Sequence, residues 1–306
     1  MIFVTSAADR IAVIINPISG TGGRIDIGRA RAAYAADVIA SRGGDPSMVF
    51  LTERPGHARD LAQAAMSHGV ATVVAWGGDG TMNEVASALA FTDTAIAMVP
   101  SGSGNGLARE LKIPFDPAAA FDVACRGREM VIDAGEIGGR LFFNIAGIGL
   151  DARVAHRFAV DGLERRGFYR YLELTIGEMR GYVPDRLTVT TPSSSITKPV
   201  LLVAIANGRQ YGNGAIIAPD ARLDDGRLDV VIVGHRSAFR ACLELPLIFM
   251  GRAGSVRGIT MEAVESVEIT SPHPVLYHLD GEPIAGTLSL RAHARPRALR
   301  IRVPAN

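Results

Sequence analysis

Two cysteines, Cys125 and Cys242, stand far apart in this 306-residue chain. Neither a disulfide framework nor a zinc cluster is therefore expected, and a reducing cytoplasm fits. An excess of charge of either sign is missing too. The 32 basic and 31 acidic residues leave a net +1, which argues against a nucleic-acid partner. Long apolar runs are absent: a stretch such as Val200–Ala206 is far short of the roughly 20 residues that a membrane-crossing helix needs. The opening MIFVTSAADRIAVIIN has no basic region ahead of a long apolar core and no small-residue cleavage site. The expectation is a soluble cytoplasmic protein, peripheral at most at the inner face of a membrane. Both complete phosphate fingerprints are also missing. There is no G-x-x-x-x-G-K-[ST], and Leu107 takes the place of the last glycine in a G-x-G-x-x-G over Gly102–Leu107. Ordinary P-loop enzymes and ordinary NAD dehydrogenases are disfavoured.

What is present is a well-buried globular chain, 48% hydrophobic and long enough for two domains. Up to about residue 125, β-rich runs at Arg10–Asn16, Met48–Thr52, Val70–Trp76 and Ala95–Val99 alternate with helical patterns. That order predicts βαβ units and a parallel sheet, with Trp76 in its core. From about Met130 the pattern changes to closely spaced strands, beginning with a hairpin around Gly138-Gly139. Later strands are expected at 186–191, 200–207, 228–233, 267–270, 275–279, 287–291 and 298–303, with helical insertions only at 151–182 and about 237–251. The division predicted is an α/β domain over 1–128 and a β-rich domain over 129–306.

Three glycine-rich loops follow strands of the first domain. In WGGDGTMNEV (Trp76–Val85), Met82, Val85, Ala86 and Leu89 mark the buried stripe of a helix starting near Thr81. The glycines thus lie at a helix N-terminus, where free backbone N–H groups and the dipole suit a phosphate. Asp79 fits beside a phosphate if it binds a metal ion, orients a lysine or water, or takes a proton. NPISGTGG (Asn16–Gly23) follows the first strand and PSGSGNGLARELKIP (Pro100–Pro114) the fourth. Parallel strands put all three loops at the carboxyl edge, where such sheets bind ligands.

GGDGTMNEVASAL, with NPISG before it and PSGSGNGLARELKIP after it, resembles the diacylglycerol kinase catalytic family of lipid kinases, which includes bacterial diacylglycerol kinase-like enzymes, sphingosine kinases and ceramide kinases. GGDGT alone is shared with NAD kinases and phosphofructokinases. The PSGSGN loop is more specific, and DAGEIGGRLFFNIAGIGLDARV, NGRQYGNGAIIAPDARLDDGRLDV and HLDGEPI follow in family order. The resemblance implies a Rossmann-like parallel α/β domain of the NAD kinase and diacylglycerol kinase type, then a β-sandwich-like domain whose last strand, near Arg297–Val303, returns to the first. It implies magnesium-dependent transfer from ATP, held between the domains, to a hydroxyl of a neutral or sphingoid lipid: diacylglycerol, a sphingoid base, ceramide or a related lipid. The alternatives are an NAD-kinase-like enzyme acting on a soluble metabolite, and a non-catalytic lipid- or nucleotide-binding regulator. A homodimer stays open.

By the same resemblance, nucleotide contacts come from Asn16, Ser19, Gly20, Thr52, Gly77, Gly78, Asp79, Gly80, Thr81, Asn83, Glu84, Gly102, Ser103 and Asn105. Asp79 works with Mg2+ and the phosphates, since phosphoryl transfer relies on positioning and charge neutralisation. The proton acceptor for the lipid hydroxyl is Asp280 or Glu282. Period two along a strand puts both on one face, unless Gly281 makes a turn. A structural Mg2+ falls to Asp225 and the backbone carbonyls of Arg222 and Arg227. Seven arginines between Arg153 and Arg186, with aromatics among them, offer a surface for anionic lipid or a solvated helix face. His278 reads as a packed histidine.

Overall fold

Alternating β-branched runs and helices fold the first part of the chain into parallel α/β layers, whereas the later, closely spaced strands pair antiparallel. The computed structural model describes residues 10–20, 25–160, 168–179, 181–212 and 214–305. The chain divides into two compact units: residues up to Ile132 together with those from Arg297 onward, and Asp133–Pro296.

The elements of the first unit are β1 (Ile11–Ile15), α1 (Ile25–Ser41), β2 (Val49–Leu51), α2 (His57–Ser67), β3 (Thr72–Gly77), α3 (Asp79–Leu89), β4 (Ala95–Pro100), α4 (Gly106–Glu110), α5 (Pro117–Arg126) and the start of β5 (Arg128–Ile137). Those that follow are β6 (Arg140–Phe142), β7 (Ile145–Gly149), α6 (Leu150–Val160), α7 (Phe168–Met179), β8 (Arg186–Thr190), β9 (Ser195–Ala206), β10 (Leu228–Gly234), α8 (Ala238–Phe249), β11 (Ile259–Val264), β12 (Ser266–Leu279) and β13 (Glu282–Val303).

In the first unit the strand order is β2-β1-β3-β4, all parallel, with Val13 opposite both Val49 and Val74. The end of β13 pairs parallel with β4 through Ile301 and Ile96. Every residue of β3 and β4 is buried, as expected for a parallel sheet covered on both faces. Trp76 lies in the core, edge-on to Phe121 at 5.6 Å between ring centroids. α5 shows why a helix starts where it does. Asp116 accepts the Ala119 N–H at 2.9 Å, and Pro117 occupies the first turn, where no N–H is needed.

The second unit pairs its strands in the order β11-β10-β9-β7-β12, with β8 bonded to both β9 and β12. β5 and β6 form the hairpin expected at Gly138-Gly139, both with positive φ (58° and 78°). Two pairs of expected strands are single elements. β12 runs through a register irregularity between Thr270 and Val275, and β13 runs unbroken across 287–291 and 298–303. The continuous apolar run Val200–Ala206 is explained by cover on both faces. Val203 and Ile205 join a core with Phe142, Val230 and Ile232, while Leu202 and Ala204 join another with Leu150, Leu174, Val231 and Ile248.

Phe142 is fully buried, its ring seated where a Cβ on Gly135 would lie. Phe142→Ala is expected to cost about 3–5 kcal/mol, read as a lower urea midpoint.

Candidate active site

β1, β3 and β4 are parallel, so the loops that leave their carboxyl ends open on one edge of the sheet. There they interlock backbone to backbone. A Cβ on Gly20, whose φ is +68°, would lie 2.0 Å from the Ser101 carbonyl oxygen, and one on Gly102 would lie 2.5 Å from the Gly78 Cα. Gly77 leaves room for Thr81, and Gly104 for the Asp79 carboxylate. Bare backbone in these loops thus lets them touch one another. Gly80 differs: nothing lies within 4 Å of the position its Cβ would take.

α3 starts at Asp79 rather than near Thr81, because the Met82 N–H already reaches the Gly78 carbonyl at 3.0 Å. No side chain caps this helix. Asp79 turns instead to the third loop and accepts the Asn105 N–H on Oδ2 and the Gly106 N–H on Oδ1, each at 2.8 Å. Hydrogen bonds to a charged group contribute about 1.5–3 kcal/mol each. Asn105 itself takes a left-handed conformation and bonds the Gly102 N–H and carbonyl through its side chain. On the first loop, Asn16 Nδ2 donates to Thr81 Oγ1 at 3.1 Å, and its Oδ1 accepts the Ile18 N–H. The Ser101 hydroxyl lies 3.3 Å from that of Ser19. Ser103 is half-buried in the third loop.

Two of the expected contact residues also have partners within the scaffold. The Glu84 carboxylate accepts the N–H groups of Gly56 and Ala58 at 2.9 and 3.0 Å, capping α2 from a neighbouring helix. Asn83 accepts the Ser87 hydroxyl at 3.3 Å. Thr52, half-buried, continues the ladder by donating its N–H to the Ile15 carbonyl. Two arginines that the sequence did not single out hold the loops. Arg31 donates to the Ser19 carbonyl at 2.9 Å and lies over Trp76, while Arg109 donates to the Gly104 carbonyl and lies over Phe115. Burial lowers the pKa of Arg31 from its ordinary value.

In the second unit, Asp280 and Glu282 do not share a strand face. Asp280 and Gly281 form a two-residue turn, φ 49° and 86°, between β12 and β13. Asp280 accepts the N–H groups of Phe143, Asn144 and Ile145 at 2.9, 2.9 and 3.0 Å. Glu282 is half-exposed, 3.2 Å from Arg140. Beneath the turn, His278 is buried, its Nε2 2.8 Å from Asp151 Oδ2, and its Nδ1 accepts the Gly281 N–H at 3.2 Å. Glycine at 147 makes room for this pair, since a Cβ there would meet both.

The acidic segment around Asp225 is moored to β5, where Asp133 accepts the Gly226 N–H at 2.6 Å and donates its own N–H to Leu223. Asp225 is exposed and accepts the Arg227 N–H at 3.0 Å. Burial, then the charges of Asp225 and Asp220, raise the carboxyl of Asp229 to about 6. This local excess of negative charge suits a cation at the Arg222, Asp225 and Arg227 positions. No group of three or more acidic, histidine or cysteine side chains there or elsewhere among the described residues is placed to hold a metal, so carbonyls would have to complete the shell.

The arginine-rich stretch is only partly described: Arg165 and Arg166 lie outside the described residues, as does Arg180, and so does the side chain of Arg170. Arg153 and Arg157 lie 3.4 and 4.0 Å from Glu178 and, with Tyr182 and Asp185, line a cavity of about 370 Å³.

Glycine loops interlocked at the carboxyl edge of a parallel sheet, followed by an antiparallel β-rich unit, define a two-domain protein whose first unit presents a helix N-terminus suited to a phosphorylated ligand. The diacylglycerol kinase catalytic domain family matches residues 10–137, and the YegS C-terminal NAD kinase beta sandwich-like domain matches residues 144–303. A Pseudomonas aeruginosa PAO1 protein named "Probable lipid kinase YegS-like" is 34% identical over 278 residues, covering 90% of this chain and 89% of that protein. A Klebsiella pneumoniae protein of the same name is 33% identical, covering 84% and 86%. In structure, a diacylglycerol kinase from Bacillus anthracis str. Sterne superposes with a TM-score of 0.70 at 18% identity, over 96% of this chain and 97% of that one. The chain belongs to the diacylglycerol kinase catalytic-domain family of lipid kinases.

The two kinds of glycine separate experimentally. Gly102→Ala is expected to lower unfolding stability by about 1–3 kcal/mol, the cost of overpacking. Gly80→Ala, facing open space, is expected to leave the urea midpoint unchanged or slightly raised.

Proposed function

We propose that the protein is a magnesium-dependent kinase that transfers the γ-phosphoryl group of ATP to a hydroxyl of a neutral or sphingoid lipid such as diacylglycerol, a sphingoid base or ceramide. The observation that carries this reading is the uncapped N-terminus of α3, set among three interlocked glycine loops in a chain of the lipid-kinase family. The ATP phosphates lie against the first amides of α3, over the open position beside Gly80, with the Asn16, Ser19 and Gly20 loop and the Gly102, Ser103 and Asn105 loop on either side. A carboxylate has about four lone-pair sites. Asp79 accepts the Asn105 and Gly106 N–H groups, one on each oxygen, and the same carboxylate would hold a Mg2+ ion beside the phosphates. Glu84 ties the start of α2 to α3, and Asn83 accepts the Ser87 hydroxyl within α3.

The proton acceptor is Glu282. A general base must gain a proton in the reaction, and protonating Asp280 would weaken three amide hydrogen bonds of about 1.5–3 kcal/mol each. Among the described residues Glu282 has a half-exposed ion pair with Arg140, a contact of about 0–1 kcal/mol that leaves its carboxylate accessible to an incoming hydroxyl. The lipid oxygen attacks the γ-phosphorus, the bond from that phosphorus to the bridging oxygen of ADP breaks, and the hydroxyl proton passes to Glu282. Asp280 and the His278–Asp151 pair hold the turn that carries this base. Asp79 would hold a Mg2+ ion whose chemistry there would be charge neutralisation of the phosphates, and Asp225 with the carbonyls of Arg222 and Arg227 would hold one that steadies the acidic loop.

Transfer from labelled ATP onto a panel of lipids, with NAD as a soluble control, tests the reading. Label is expected in an organic-extractable product. Asp79→Asn and Glu282→Gln are each expected to lower kcat by about 10²-fold or more, whereas Gly80→Ala raises the KM for ATP at unchanged stability. Label found only in aqueous NADP would sink the lipid reading. For the acidic loop, Mg2+ is expected to raise the Tm of the wild type but not of Asp225→Asn, with chelator reversing the shift.

A further inference from the structure

An acceptor dissolved in a bilayer obliges the enzyme to reach that surface, so this inference rests on the function just proposed. We infer that α8 is the element that docks on the bilayer. Leu243, Leu247 and Met250 are 61%, 38% and 66% exposed, and they recur at i, i+4 and i+7 along one side of α8 and its C-cap. Pro246, also exposed, fills the gap between them. The remaining large exposed hydrophobics among the described residues are scattered, whereas α8 gathers three within eight positions. Ile248, on another side of the same helix, is fully buried in the core beneath it, so the apolar stripe is a second, outward face.

The charges around the stripe choose its occupant. From His235 to Gly258 the sequence holds four arginines and one glutamate. Glu244 is consumed locally by Arg236, which is buried at 2.6 Å from it, and by Arg240, also at 2.6 Å. Arg240 is half-exposed one turn before Leu243, and Arg252 and Arg257 are exposed beyond the helix. An apolar stripe with cations at both ends and no surplus acid is complementary to a membrane interface that carries anionic headgroups. A second copy of the chain would bring the same positive rim against itself, which disfavours self-association through this face. The arginine-rich stretch from Arg153 supplies less of this character in its described part, since Arg153 and Arg157 turn to Glu178.

The test is co-sedimentation of the full chain with phosphatidylcholine vesicles, with and without added phosphatidylglycerol. Leu243→Glu with Met250→Glu is expected to lower the vesicle partition coefficient about tenfold or more at unchanged Tm. Arg252→Ala with Arg257→Ala is expected to remove most of the preference for the anionic vesicles, at about fivefold per arginine, and high salt does the same. Phosphorylation of lipid in vesicles falls with the double glutamate variant, while phosphorylation of a short-chain, dispersed lipid does not. Wild-type protein that ignores both vesicle types overturns the inference, as does a double glutamate variant that binds like wild type. So does a variant that splits a dimer in sedimentation without changing vesicle binding. If the wild type phosphorylates no lipid while its vesicle binding still depends on the stripe, the proposed activity fails and the docking face stands.

Discussion

The first unit depends on one carboxylate. Asp79 opens α3 and draws in the amides of Asn105 and Gly106, which fixes the third glycine loop against the second. In the same arrangement Gly78 and Gly102 meet at backbone distance, and the Ser101 carbonyl lies against Gly20. The first amides of α3 therefore face a rim assembled from three strand ends and held without a side-chain cap. A flexible loop would have to be ordered by its ligand, at an entropic cost of about 1–2 kcal/mol per residue. The hydrogen bonds within the described loop segments lower that cost.

The same device recurs in the second unit. Asp280 sits in a tight turn with a glycine beside it and gathers three successive amides, tying the β12–β13 hairpin to the start of β7. The turn is held from below as well, through Gly281 to His278 and from there to Asp151 at the start of α6. Two acids that read alike in sequence thus do unlike things. The aspartate organises backbone, and the glutamate two positions later is left with a loose partner.

Local chemistry was legible and long-range commitment was not. The parallel strands, the three loops, Trp76 in the core and the hairpin at Gly138-Gly139 all follow from periodicity and from what glycine permits. Which glycine spares a neighbouring loop and which faces open space depends on residues twenty or more positions away, as Gly102 and Gly80 show. Glu84 reads as part of the phosphate loop because it follows GGDGT, and the sequence does not show that its carboxylate also accepts the amides of Gly56 and Ala58. The Asp280–Gly281 turn was one of two options, and the choice follows from three amides 135 to 137 residues earlier. Arg31 and Arg109 carried no signal, since a loop carbonyl leaves no trace in sequence.

The outward face of α8 exposes a deeper limit of pattern reading. A helix that packs on a sheet and a helix that lies on a bilayer share the same 3.6-residue apolar period. In α8 both patterns are overlaid: Ile248 points into the core while Leu243, Leu247 and Met250 do not. Sequence shows only a helix rich in apolar residues, and burial is what separates the two stripes. Once they are separated, the charges gain meaning, because Glu244 is already matched by Arg236 and Arg240 and the arginines beyond the helix have no acid of that segment left to neutralise them. The inferred docking face would bring the chain to a headgroup layer without any helix long and apolar enough to cross a membrane among the described residues. The docking face and the β12–β13 hairpin sit on separate elements of one unit, so that the affinity for the surface can change without disturbing that hairpin.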